Sequence, residues 1–173
     1  DSLGLDLKAV NSEKNNLLHV LARRSEDSLL LEYLVERGVG VNDKNTKGET
    51  PIINAIQSNN KVSLNVLNRN ESDFDVQDND GNTLWHHAIE HEDKEICLLL
   101  LKYNVELNAM NQQGMSALHL ACMKGENVDH LSFLVESGAD INQKTEFGEL
   151  PYDLALENEL LNKNIDQINF LKP

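Results

Sequence analysis

The sequence predicts an all-α protein of tandem helix–turn–helix repeats, and three landmarks in one register predict it. The strings TKGETPIINA (46–55), NDGNTLWHHA (79–88), QQGMSALHLA (112–121) and EFGELPYDLA (146–155) place Gly48, Gly81, Gly114 and Gly148 at spacings of 33, 33 and 34 residues. Six residues before each glycine stands Asn42, Asp75, Asn108 or Asn142. Ten before stands Gly38, Asn104 or Gly138, with Glu71 as the exception. A period of this length is the mark of a solenoid, whose core is a row of small interfaces between neighbouring repeats.

These strings resemble the ankyrin repeat, whose unit runs D-x-x-G-x-T-P-L-H-x-A, then a second helix, then G-A-D-V-N. The nearest matches are Gly48-Glu49-Thr50-Pro51, Ser116-Ala117-Leu118-His119-Leu120-Ala121 and Gly138-Ala139-Asp140-Ile141-Asn142. The resemblance covers almost the whole chain and implies an all-α ankyrin-repeat solenoid, stacked helix-turn-helix units joined by β-hairpin loops. In this register the chain divides into the tail of a preceding repeat (1–10) and repeats at 11–44, 45–77, 78–110, 111–144 and 145–173.

In chain order, Gly4-Leu5-Asp6-Leu7-Lys8-Ala9 reads as a repeat end, with Gly4 standing 34 residues before Gly38. The chain is therefore expected to be a piece of a longer protein. Repeat 1 is degenerate: Asn16-Leu17-Leu18-His19 replaces T-P-L-H and Lys14 replaces the turn glycine. Helices are expected over 17–24 and 28–37, ended by Gly38, which enters the left-handed region without a Cβ clash. In repeat 2, Thr50 is expected to cap a helix that begins at Pro51, where a missing N–H costs nothing. Ile53 replaces the histidine and Glu71 the glycine, so 68–74 is the least regular connection, with Asn70 expected to be its left-handed residue. Repeat 3 carries Ile96 and Leu98 to Leu101 on a helix apolar nearly all round, as expected of a helix packed between two neighbours. Asn104 ends that helix in place of glycine. Repeat 4 is nearest the family pattern. Repeat 5 has Leu150 and Asp153 for threonine and histidine, and its polar ENELLNKN suits a terminal cap.

Composition narrows the function. The 173 residues are 40% hydrophobic and 25% charged, as in folded domains. No apolar run approaches 18 residues, and the start has neither a basic nor a long apolar segment, so neither a signal peptide nor a membrane span is expected. The net charge of −14 argues against nucleic acid and anionic membrane, both of which need lysine and arginine to displace counterions. Cys97 and Cys122 lack any paired spacing and read as buried thiols of a reducing, cytoplasmic compartment.

No residues point to chemistry within the chain. There is no GxxxxGK[ST], HExxH or CxxC, so no catalytic, cofactor-binding or metal-binding residue is assigned. Asp78-Asn79-Asp80-Gly81-Asn82 begins like a calcium loop, but the twelfth position is Ile89 rather than glutamate; it reads as a hairpin turn. The resemblance implies that His19, His86 and His119 pack inside the array and bond the helix start and a neighbouring loop. Trp85 stands where the family has leucine and reads as core.

The resemblance also implies a concave surface, made of turn tips and helix ends, that binds another chain. The residues assigned to it are Lys47, Glu49, Asp80, Asn82, Glu90, Gln113, Met115, Met123, Lys124, Glu146, Phe147 and Glu149. Met115, Met123 and Phe147 are apolar where water favours polar side chains, and the acidic residues among them suit lysine or arginine. The expected function is a protein-interaction module that, as a monomer, binds a protein or peptide of basic or mixed apolar and basic character. Two rivals are a substrate-capture or autoinhibitory region of an enzyme whose catalytic domain lies elsewhere, and a structural spacer.

Overall fold

The computed structural model describes residues 6–163 and 165–173. Residues 1–5 of the expected preceding-repeat tail, Gly4 included, lie outside the described residues. The helices are α1 (Leu17–Ala22), α2 (Ser28–Glu36), α3 (Pro51–Gln57), α4 (Lys61–Arg69), α5 (Leu84–Ala88), α6 (Lys94–Lys102), α7 (Ala117–Lys124), α8 (Val128–Glu136), α9 (Pro151–Glu157) and α10 (Glu159–Asn162). Short 3₁₀ segments run over Ile89–His91 and Ile165–Leu171. The expected all-helical repeat fold is the observed one.

Two compact bodies divide the chain, one ending at Asn79 and the other running from Asp80 to Pro173. In the first, α1 packs on α3 and α2 on α4. The cluster beneath them is Leu18, Leu31, Leu34, Val39 and Val66, with Leu7 and Val41 against its edge. In the second, α5 packs on α6, α7 on both α8 and α9, and α9 on the 165–171 segment. Trp85 is fully buried there, and its indole N–H donates to the Val105 carbonyl at 2.9 Å, which satisfies the one polar atom of a core side chain.

Each helix is short because the sequence starts and stops it by side-chain chemistry. The second helices begin at Asp27, Asn60, Asp93 and Asn127, whose side-chain oxygens accept from backbone N–H groups of the first turn. They end at left-handed residues: Gly38 (φ 77°), Glu71 (φ 60°), Asn104 (φ 52°) and Gly138 (φ 102°). Asn70 is not the left-handed residue of repeat 2, because its φ is −113° and its amide is engaged, donating to the Val66 carbonyl at 2.7 Å. Glu71 takes the strained conformation in the glycine's own register. Thr50 caps nothing: its hydroxyl is buried without a partner. In repeats 3 and 4 the histidine three residues on contacts the capping hydroxyl at 2.8 Å, and Ile53 has no nitrogen to do so.

The tips are tight turns rather than extended hairpins. In repeat 2 the Asn45 N–H donates to the Glu49 carbonyl and the Gly48 N–H to the Asn45 carbonyl, both at 3.0 Å; Asn111, Met115 and Gly114 repeat the pattern at 3.0 Å. Among the described residues no strand forms, and only Gln77 and Thr83 are isolated bridge residues. Successive tips are tied by backbone bonds, Thr46 N–H to Glu13 O at 2.8 Å and Gln112 N–H to Asp80 O at 2.9 Å. That close stacking explains the glycines: a Cβ on Gly114 would sit 2.9 Å from the backbone nitrogen of Glu146.

Two elements depart from expectation. On α6, Ile96, Cys97 and Leu100 are buried but Leu98 is half exposed, so one side of that helix faces solvent. In repeat 5 the second helix is broken into α10 and the 3₁₀ segment, with Ile168 and Leu171 as its buried anchors.

Candidate partner-binding site

The histidines are structural struts. In repeats 1, 3 and 4 the backbone N–H of Asn16, Thr83 or Ser116 donates to Nδ1 of His19, His86 or His119 at 3.1–3.2 Å. With Nδ1 accepting, Nε2 carries the proton and donates onward to the carbonyl of Glu49 (3.0 Å), Met115 (2.9 Å) or Gln143 (3.0 Å). Burial pushes the pKa of His19 and His119 below the ordinary value, so both are neutral struts rather than acid–base groups. Cys97 and Cys122 are free and buried, and burial pushes both thiols up to about 12, which removes them as nucleophiles.

In the first body, Lys47 is exposed at the tip, but Glu49 does not fit its assigned role as a groove contact. It is buried, and its carboxylate accepts from Asn45 (2.9 Å), Asn54 (3.1 Å) and Gln57 (3.0 Å) and pairs with Arg23 at 3.0 Å. Burial works to raise its pKa. The hydrogen bonds from Gln57, Asn45 and Asn54, with Arg23, outweigh that and leave it below the ordinary value. Glu49 therefore organises the tip from inside and offers no free charge to a partner.

In the second body the structure brings Gln113, Met115, Met123, Phe147 and Glu149 together around one groove of about 550 Å³. Phe147 is 86% exposed at its tip, held there because Thr145 Oγ1 accepts from the N–H groups of Phe147 and Glu149 at 3.3 and 3.2 Å. It does not fold onto its own turn. Met123 stands exposed at the end of α7, Leu154 of α9 forms an apolar floor, and Glu149 and Glu157 supply the charge. Asn158 fixes one wall, its amide donating to the Cys122 carbonyl at 3.1 Å and the Gly125 carbonyl at 2.9 Å. Of these, Leu154 was not among the residues expected to line the groove. Glu157 and Asn158 were legible as helix-end positions, whereas Leu154 reads in sequence only as a core residue of its helix.

Glu90 and Lys124 line a separate hollow of about 340 Å³ with His91, Glu92 and Glu126. Glu92, left-handed at φ 49°, has its carboxylate turned to the loop, where it accepts from the N–H of Glu126 at 3.0 Å. Asp80 and Glu146 are exposed on tips, and Asn82 accepts from the Asn111 amide at 2.8 Å. Among the described residues, no three His, Cys, Asp or Glu side chains converge as a metal ion would need.

The register of tip turns and second-helix caps recurs along the chain, with histidine struts in repeats 1, 3 and 4, and residues 62–145 match the family described as ankyrin repeats in three copies. The chain belongs to the ankyrin repeat family. Alpha-latrocrustotoxin-Lt1a of Latrodectus tredecimguttatus is 32% identical over 129 residues, 74% of this chain but 9% of the toxin. SH3 and multiple ankyrin repeat domains protein 2 of Homo sapiens is 29% identical over 84% of this chain and 8% of that protein. Rabankyrin-5 of Homo sapiens is 27% identical over 82% of this chain and 12% of its own length. The chain thus spans between 8% and 44% of the length of these and other curated relatives. Ankyrin repeats are in general protein–protein interaction modules, and no described helix of this one is long and apolar enough to cross a membrane.

Proposed function

We propose that this ankyrin array is a protein-interaction module whose groove at Met115, Met123, Phe147 and Leu154 takes an apolar side chain of a partner peptide, with Glu149 and Glu157 receiving a neighbouring lysine or arginine. The observation that carries this reading is Phe147, a large ring held almost fully in solvent at the rim of a groove with an apolar floor. Solvent-exposed aromatic and methionine side chains around a preformed hollow are what a binding hot spot needs, since little ordering entropy is lost on contact. The mechanism is affinity without bond chemistry, and the net charge of −14 steers a basic partner toward the array. The repeat boundaries at 11–44, 45–77, 78–110, 111–144 and 145–173 belong to the same proposal, supported by the recurrence of the tip turns.

The test is selection from a displayed random-peptide library on the chain and on a Met115→Ala/Met123→Ala/Phe147→Ala form with an unchanged circular dichroism spectrum. Enrichment of apolar-plus-basic sequences that bind the chain at least ~30-fold more tightly than the triple variant is expected, about 2 kcal/mol. Peptides that bind both forms equally place the function on another face.

A further inference from the structure

We propose that the outer face of α1 and α2 is an open stacking surface for a further helix–turn–helix repeat, entering through the turn at Asp6. This goes beyond the groove reading, lies wholly in the first body and uses none of the groove residues.

Asn16 and Thr50, the residues just before the two first helices, align α1 with α3, and the caps Asp27 and Asn60 align α2 with α4. Leu17, Val20 and Leu30 then correspond to Pro51, Asn54 and Ser63, and Tyr33 to Val66. In the second repeat all four positions are buried, with Val66 packed into the cluster of Leu18, Leu31 and Leu34. In the first repeat the same positions are open: Val20 is 44% exposed where Asn54 is 0%, and Leu30 is 40% exposed where Ser63 is 0%. The first repeat has thus placed larger apolar side chains than the second at positions that a solenoid buries against the preceding repeat. A terminal repeat meant to face water carries polar residues there.

The chain entering this face already has the geometry of a repeat end. The Lys8 N–H donates to Asp6 Oδ1 at 2.9 Å, as the Asp75 N–H does to Asp73 Oδ1 (2.8 Å), the Asn108 N–H to Glu106 Oε1 (2.9 Å) and the Asn142 N–H to Asp140 Oδ1 (2.8 Å). At each of the other three positions that turn directly follows a helix pair. Leu7 packs on the edge of the core cluster as Val41 does one repeat later. The occupant is therefore a repeat of this same kind, continuous with the α1–α3 and α2–α4 interface, and not an extended peptide.

The experiment compares the chain with a form extended by a copy of its residues 111–138 placed before Leu5, so that the copied Gly138 takes the register of Gly4. Each is made with and without Val20→Glu/Leu30→Glu. The extended chain is expected to stay monomeric and to unfold several degrees higher, a gain that the glutamate pair abolishes while leaving the unextended chain's midpoint unchanged. Equal midpoints for the extended and original chains overturn the proposal, as does an equal loss from the glutamate pair in both. A doubled mass for the original chain in light scattering, returned to a single mass by the glutamate pair, overturns it in favour of a second copy.

Discussion

Thr50 and Ser116 occupy the same place at the start of a first helix and have opposite energetic standing. Ser116 Oγ is in contact with His119 and accepts from its backbone N–H, whereas Thr50 Oγ1 is buried with no partner. A buried orphan hydroxyl costs free energy, while a satisfied cap contributes about 1 kcal/mol. Thr50→Val is accordingly expected to be neutral or stabilising in urea unfolding, and Ser116→Ala to lose about 1 kcal/mol. The buried histidines set the acid response. His19, His119 and His130 are all held below the ordinary 6.5 by burial, so the unfolded chain takes up protons first as pH falls through 6.5. Stability then declines on the acid side of that value and levels off once the folded histidines protonate. Urea midpoints at pH 8, 6 and 5 check this, and a flat profile over that range contradicts it.

At the level of elements, the helix ends are where the sequence strays from its own pattern. Glu71 holds φ 60° at a position that Gly38 and Gly138 fill elsewhere, and a side chain in that region costs about 1 kcal/mol or more. Glu71→Gly is expected to raise stability by about 0.5–1 kcal/mol in chemical denaturation, because the Asn42 amide bonds only its backbone carbonyl. A loss on that substitution would mean that the Glu71 side chain has a role of its own. The irregular connection at 68–74 was legible from the missing glycine. Its left-handed residue was not, because φ at this site is dictated by chain reversal in a fixed register, and Asn70 sits one position too early to supply it.

For the whole molecule, charge and repetition act together. With 29 acidic against 15 basic residues, association with a basic peptide should be fast at low salt. Stopped-flow measurements between about 20 and 500 mM NaCl are expected to show the on-rate falling several-fold while the off-rate changes little. An off-rate that carries the salt dependence would instead place the ion pairs in the buried centre of the interface. Of the site, Met115, Met123 and Phe147 stood out in sequence as apolar residues at positions that face water. Leu154 did not, and Asn158 did so only as a helix end and not as a wall tied to the preceding repeat, since a cavity is made by residues of neighbouring repeats, and no single repeat contains it.

By itself the sequence determined the repeat period, the helix pairs, the turn glycines and the apolar rim of the groove. All of these follow from local chemistry: a φ that glycine tolerates, an oxygen that caps a helix, a periodicity that buries one face. Only the tertiary structure decided that Glu49 is an internal tie, that the Thr50 hydroxyl is orphaned, that Leu98 faces water and that Val20 and Leu30 stand open. Those outcomes depend on which atoms folding brings within hydrogen-bond or van der Waals reach, inside one repeat at Glu49 and Thr50 and between repeats at Val20 and Leu30, and that proximity is a property of the folded chain rather than of local sequence.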